Sequence, residues 1–436
     1  MSQFYPKLMQ VSEHWIIFSH CYNMDGRAAS QLIKPRVAEL TSRGFKCSVI
    51  SAPNGAHDPS IFKHKRVFSI FPAGLKFELR HWIKREIQHK VLQRISLLLN
   101  GIILSPFAVI ERIIIPLESQ WSWFFGAFIN GASSIFAKRK QTALIYSTGG
   151  PVGGHVAGIL LSKLFDIPCI CEIQDPLFFD STEWNPKGRS KYLYKIIEKF
   201  ILRNSDSTVF MSKTAMNRAV SRTKEDPQKA NFIYSGAPEI NSISPQTCKS
   251  TNLKITLAHF GTLADRRNLN SLLQSLQEVF HEQPNAKELI KVELYGFLDP
   301  MVEKSISSFE YKSMFSVQGT IPHELALRKM EQSDILLLIQ DDSYVAEETI
   351  PSKVYEYLQS NKPVLALVNN EELFNNLLEF NCYSAMIKDR EMIGKEILSL
   401  LKDAQEKTLK HPSGDFPSLN LAIDHLLQIK MSLTGS

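Results

Sequence analysis

The chain repeats one short pattern along its length. An apolar run of five to seven residues gives way to a polar or glycine-bearing turn and then to a stretch with helical periodicity. The runs fall at 15–19, 47–51, 143–147, 167–173, 207–211, 254–260, 290–294, 315–319, 334–339 and 364–368. Ile335-Leu-Leu-Leu-Ile339 and Val364-Leu-Ala-Leu-Val368 are apolar at every position rather than at alternate ones. Such strands are covered on both faces, the condition of a parallel sheet with helices above and below it. The pattern predicts an α/β fold, and 436 residues suffice for two such domains. Gly, Pro and Ser gather over 235–251, which reads as a linker. The expected division is 1–238 and 239–436.

Open α/β sheets bind ligands at the carboxyl ends of their strands. The turn Thr148-Gly-Gly-Pro-Val-Gly-Gly-His155 therefore invites a dinucleotide reading, with Asp175-Pro176 after the next strand. Its glycine spacing is not Gly-x-Gly-x-x-Gly, and no Gly-Lys-Ser/Thr follows to make a phosphate loop. A more telling stretch is Glu348-Thr-Ile-Pro-Ser-Lys-Val-Tyr-Glu356, a polar loop leading into a helix, with Pro351 suited to the first turn. Glu356 is expected more than one turn inside that helix. A helix N-terminus suits a phosphate, and Lys353 adds a point charge for the same anion. The two carboxylates can accept hydrogen bonds from vicinal hydroxyls. A phosphate between hydroxyl-bearing rings describes a nucleotide sugar; an amphipathic helix with capping acids has the same residues.

Glu348 and Glu356, with Pro351-Ser352-Lys353 between them, resemble the Glu-x7-Glu segment of the retaining glycosyltransferases of family 4. The resemblance implies the GT-B architecture, two Rossmann-like doubly wound parallel-sheet domains with an inter-domain cleft. It implies that Gly26 in the first βα loop faces that cleft, although the family's loop bears more glycine and Gly26 also reads as a simple turn. His155 on the helix after the glycine-rich turn and Asp175 at the next strand end match the family's cleft-facing positions. A histidine near a helix start is equally a structural residue. In the second half, Gly261 and Thr262 follow a strand, and the family's pyrophosphate-binding basic residue matches Arg267, with Arg266 the alternate. Ser235-Gly236 stands where the family usually has Asn-Gly. By the resemblance Glu356 takes the ribose hydroxyls, Glu348 the sugar hydroxyls, and Arg267 and Lys353, beside Ser352, the diphosphate. The family needs no metal or cofactor for this, and the chain contains no Asp-x-Asp. A terminal helix over about 419–433 is expected to pack back on the first domain, as in GT-B enzymes.

Net charge is +6, and the six cysteines are scattered without a Cys-x-x-Cys pair, which points to a reducing compartment. Between Lys63 and Arg94 nine Lys and Arg residues stand against Glu78 and Glu86, interleaved with aromatic and aliphatic side chains. The uncharged run 95–110 that follows is too short for a spanning helix. The region 63–118 reads as a basic amphipathic insertion that lies on an anionic membrane surface, or as a pair of core helices with solvated basic faces. No nucleic-acid motif accompanies the charge. The resemblance thus implies a retaining glycosyltransferase of hexosyltransferase type, using a nucleotide diphosphate sugar and a glycan or lipid-linked acceptor. Its expected place is cytoplasmic, peripheral on the inner face of the membrane. The rivals are a non-catalytic GT-B-fold interaction protein and a Rossmann-type oxidoreductase, which lacks its fingerprint.

Overall fold

The computed structural model describes residues 13–24, 28–139, 141–179, 188–238, 254–264 and 266–435. They belong to two compact units, Met1–Tyr234 with Leu419–Ser436, and Ser235–Ser418. The strands of the first unit are β1 (His14–Phe18), β2 (Lys46–Ser51), β3 (Lys63–Arg66), β4 (Thr142–Thr148), β5 (Cys169–Ile173), β6 (Ser207–Phe210) and β7 (Ala230–Phe232). They lie in the order β3-β2-β1-β4-β5-β6-β7, and every pair is parallel. Around them run α1 (Ala28–Ser42), α2 (Pro72–Glu86), α3 (Lys90–Ile114), α4 (Trp123–Lys138), α5 (Val152–Phe165), α6 (Arg189–Asn204) and α7 (Lys213–Thr223). The continuous apolar run of β1 serves both faces of the sheet. Ile16 and Phe18 enter one core with α4, α5, α6 and α7, while Trp15 and Ile17 enter the other with α1.

The second unit is built the same way. Its strands are β8 (Ile255–Phe260), β9 (Ile290–Tyr295), β10 (Phe315–Gly319), β11 (Ile335–Ile339), β12 (Val364–Val368) and β13 (Tyr383–Met386), in the order β10-β9-β8-β11-β12-β13, again all parallel. The helices are α8 (Asn270–Glu282), α9 (Pro300–Ser308), α10 (His323–Gln332), α11 (Lys353–Gln359), α12 (Glu371–Glu379) and α13 (Arg390–Glu406). Leu337, Ile339, Leu365 and Leu367 pack with α8 and α13 on one face. The intervening Leu336, Leu338, Val364 and Ala366 are equally buried on the other. The predicted α/β class with parallel sheets is what the chain adopts. In each sheet the strand order reverses beside the first strand, between β1 and β4 and between β8 and β11. Crevices at such switch points are where open α/β sheets hold ligands.

The last helix, α14 (Leu419–Thr434), belongs to the first unit. Ala422, Ile423 and Leu426 share a core with Ile33, Val37 and Leu40 of α1. Arg43 pairs with Asp424, and Lys430 Nζ lies 2.7 Å from Glu13 Oε1.

Two features of 63–118 depart from the sequence reading. Lys63-His-Lys-Arg66 is a sheet strand, pairing with β2 at the edge. An edge strand needs no apolar alternation, and charges there discourage another chain from adding to the sheet. The helix α3, 25 residues long, passes through Asn100 and Pro106 and extends beyond the uncharged run at both ends. By length and composition it is long enough and apolar enough to cross a membrane.

Candidate functional site

The second sheet's switch point gathers most of the residues the sequence singled out. At the end of β8, Phe260 N donates to Tyr357 Oη of α11 at 3.0 Å, which ties the strand end to that helix. Gly261 N donates to Tyr295 O at 2.8 Å. The two backbones touch here: a Cβ on Gly296, whose φ is +135°, would lie 1.9 Å from Gly261 O. Only glycine fits that approach. Thr262 is exposed beyond it, and Arg266 and Arg267 follow in a partly buried turn.

His259, on β8, is buried, and its Nδ1 lies 3.0 Å from Leu337 O. A carbonyl only accepts, so Nδ1 carries the proton and Nε2 is left as an acceptor. Nε2 is buried and has no hydrogen-bond partner; Arg267 Nε, a donor, is in the same condition. Burial, together with the charges of Arg267 and Lys353, lowers the His259 pKa to about 4 against the opposing Leu337 hydrogen bond. The imidazole is therefore neutral at physiological pH and sits in a positive potential. The open acceptor of His259 and the open donor of Arg267, in the field of Lys353, can take a ligand that is anionic and carries hydroxyl groups.

The loop after β11 is braced from the strand ends. Gln340 Nε2 donates to Ala346 O and Thr349 O, both at 2.8 Å, while its Oε1 accepts from Asn369 N at 2.8 Å. Asn369 Nδ2 donates to Ser343 O at 2.7 Å, and Asn370 Nδ2 to Glu347 O at 2.8 Å. Three buried amide side chains thus hold a loop that contains no glycine, and Glu348 is buried within it. The helix α11 begins at Lys353, with Ser352 as its N-cap. Glu356 consequently lies in the first turn rather than more than one turn inside, because Pro351 precedes the helix instead of starting it. Lys353 Nζ donates to Glu356 Oε2 at 2.7 Å, and His323 Nε2 lies 3.3 Å from Glu356 Oε1. Burial raises the Glu356 pKa, but His323 and Lys353 outweigh it and hold the carboxyl below its ordinary range. A ligand that engages Lys353 must share it with Glu356.

His155, Asp175 and Gly26 belong to the other unit. Gly26 lies outside the described residues. Asp175 is exposed just past β5. His155 is buried in the first turn of α5, and its Nδ1 has no hydrogen-bond partner. The protein itself occupies the start of α5 after the glycine-rich turn, although Gly150 is exposed. Val152 N, at the start of α5, donates to Glu118 Oε1 at 2.7 Å, so a carboxylate of this chain holds that amide. A Cβ on Gly153 would stand 2.7 Å from Trp121 O and 3.0 Å from Phe124 N. Gly153 lets α5 pack against the start of α4.

His20 follows β1 at this unit's switch point. Its Nε2 lies 3.0 Å from Glu78 Oε1, and both side chains are buried. Burial lowers its pKa, but hydrogen bonds and charge from Cys21 and Glu78 outweigh this and raise it to about 9. Sequence reasoning passed over His20, His259, Gln340, Asn369 and His323. The available signal was position: each polar residue stands at or beside the end of an apolar run or at a helix start. Among the described residues no group of three or more His, Cys, Asp or Glu side chains is placed to hold a metal ion.

The fold is that of GT-B glycosyltransferases, as comparison with solved structures shows. Sucrose-phosphate synthase from Thermosynechococcus elongatus superposes with a TM-score of 0.63 at 12% identity, covering 97% of this chain and 100% of its own. Anabaena HepE in complex with UDP gives 0.56 at 11%, covering 97% and 98%. The lipopolysaccharide outer core galactosyltransferase WaaB gives 0.55 at 12%, covering 96% and 99%. No protein-family model matches the chain, and no curated protein matches it in sequence.

Proposed function

We propose that this protein is a retaining glycosyltransferase of the family-4 kind, moving a hexosyl group from a nucleotide diphosphate sugar to a hydroxyl acceptor. The observation that carries the reading is the cluster at the β8 and β11 ends, where the open Nε2 of His259 and Nε of Arg267 stand beside Lys353. Such a set suits a diphosphate with sugar hydroxyls around it. The full-length likeness to HepE, whose structures hold UDP and UDP-glucose, supports the same donor class.

In this reading Arg267 and Lys353 hold the diphosphate, with the Ser352 hydroxyl and the backbone at Gly261 and Thr262 beside it. As the bond from the anomeric carbon to phosphate oxygen breaks, the oxygen keeps the electron pair. Cationic donors already in place then stabilise the developing charge. Glu356 accepts from the ribose hydroxyls, and Glu348 from those of the sugar. The acceptor hydroxyl attacks from the face the phosphate leaves, and its proton passes to a phosphate oxygen, so no side chain acts as general base. The acceptor is a lipid-linked or membrane-proximal glycan of surface polysaccharide, and the protein works at the cytoplasmic face. The likeness to WaaB, a lipopolysaccharide outer core galactosyltransferase, and the basic apolar segment after β3 support that choice.

Binding of UDP, GDP and their common sugar conjugates, measured by calorimetry, tests the donor site. A conjugate that binds the native protein and fails to bind Arg267→Ala/Lys353→Ala is the expected result. Absence of binding by every member of the panel would overturn the reading in favour of a non-catalytic protein of this fold. The anomeric configuration of the product, read by NMR, decides retention.

A further inference from the structure

We infer that the hairpin of α2 and α3 is an in-plane membrane anchor, with the outer face of α3 inserted among the acyl chains of an anionic bilayer. Of the 29 large hydrophobic side chains exposed among the described residues, twelve lie on this one helix. Leu98, Ile102 and Ile113 are more than 60% exposed, a burial state far from that of ordinary core residues. Scattered exposed apolar residues are normal in soluble proteins; a continuous face of them marks an interaction surface.

The opposite face of α3 is fixed by polar contacts. Asn100 Nδ2 donates to Lys76 O at 3.0 Å, Lys76 Nζ to Ser105 Oγ at 2.8 Å, and Glu111 Oε2 accepts from Ala73 N at 2.7 Å. The hairpin is in turn tied to the sheet, because Glu78 of α2 holds His20, Ser69 N and Ser69 Oγ. The apolar face is therefore presented in a set direction. Between Arg94 and Arg112, both exposed, it carries no charge. At 1.5 Å of rise per residue these arginines stand about 27 Å apart.

Charge selects a lipid surface over a protein partner. Arg80, Lys84, Lys90, Arg94 and Arg112 are exposed on the hairpin, while of its acids Glu78 and Glu111 are buried and the exposed Glu86 is paired with Arg85 and Arg66. An apolar strip rimmed by cations is the pattern that binds anionic headgroups and inserts beneath them. A spanning arrangement is disfavoured despite the length of α3. The helix is bonded along its side to α2, and crossing would carry Lys76, Arg80 and Lys84 into hydrocarbon. Charged side chains there are costly unless they line a cavity. Arg85, which donates to Pro53 O and Asn54 O, also holds α2 to the sheet's loops.

This anchor needs no donor chemistry, so it stands or falls apart from the transferase reading. The full-length protein should float with vesicles of phosphatidylglycerol and phosphatidylcholine. Leu98→Asp/Ile102→Asp should reduce the floated fraction at least tenfold. Arg80→Glu/Lys84→Glu should weaken binding severalfold and flatten its dependence on salt. Both variants should bind nucleotide like the native protein, or match its melting temperature if no nucleotide binds. Failure of the native protein to float would overturn the inference. So would a native dimer that Leu98→Asp/Ile102→Asp converts to monomer.

Discussion

The turn from β4 into α5 and the turn from β11 into α11 hold equivalent places, each beside the first strand of a parallel sheet where the strand order reverses. The first contains four glycines within 148–155, and the second, 340–352, contains none. The glycine-rich one leads to an amide, Val152 N, that Glu118 already holds, its Gly153 packs against Trp121 and Phe124, and the Nδ1 of His155 beside it is open. The glycine-free one, braced by Gln340, Asn369 and Asn370, leads to Lys353 and lies beside polar atoms without partners. Gly153 therefore marks where backbone must approach something, and here that something is the protein. Open donors and acceptors near cations are the better guide to a ligand.

The contrast is most exposed to test through charge. Arg267→Ala/Lys353→Ala should lower nucleotide diphosphate affinity roughly 100-fold or more by calorimetry, since hydrogen bonds to charged groups contribute about 1.5–3 kcal/mol each. Glu118→Gln should leave that affinity unchanged, and a comparable loss there would erase the distinction between the turns. The two carboxylates of the open turn should then separate. Glu348→Ala is expected to lower turnover by roughly 10- to 100-fold with little change in nucleotide affinity, the signature of an interaction made near the reacting sugar. Glu356→Ala should weaken nucleotide binding itself, and unchanged activity in both variants would remove this segment from the site.

Gly153→Ala tests the glycine-rich turn through stability. The added methyl meets backbone atoms that cannot rotate away, so a loss of about 1–3 kcal/mol is expected in denaturant unfolding. Nucleotide affinity should survive.

A smaller effect concerns pH. Folding raises the His20 pKa from its unfolded value near 6.5 to about 9. The stabilisation is complete below pH 6.5 and disappears as pH rises through 9. Glu78→Gln should flatten that decline, which thermal melts across pH 6 to 10 will show.

The smallest expected change is at His259, where a single hydrogen bond of about 1 kcal/mol is at stake. His259→Phe should reduce affinity for the sugar conjugate about fivefold, while affinity for the nucleotide alone changes less.

Parallel strands announce themselves in sequence because burial on both faces leaves them apolar throughout, and that is why β11 and β12 were plain. The strand β3 was hidden for the converse reason: at an edge, Lys63-His-Lys-Arg66 needs backbone pairing and no apolar face. Apolar composition showed that 95–110 avoids water without showing which side of α3 meets protein. In the second sheet, Lys353 and Glu356 were legible as charges near a helix start, although the start itself lay two residues later than Pro351 suggested. His259 was not legible, since a histidine within a buried strand looks like any core residue until its tautomer and its open Nε2 are seen. The bracing by Gln340, Asn369 and Asn370 depends on which carbonyls the fold brings near, and sequence spacing carries no trace of that.

The placement of α14 has a consequence for biogenesis. Residues 235–418 are contiguous and can fold as soon as they leave the ribosome, whereas the first unit needs residues 419–436 as well. Domains generally fold as units during synthesis. Here the unit translated first is completed last. Until α14 emerges, Ile33, Val37 and Leu40 lack the helix that shares their core, and the nascent chain offers a chaperone that uncovered face.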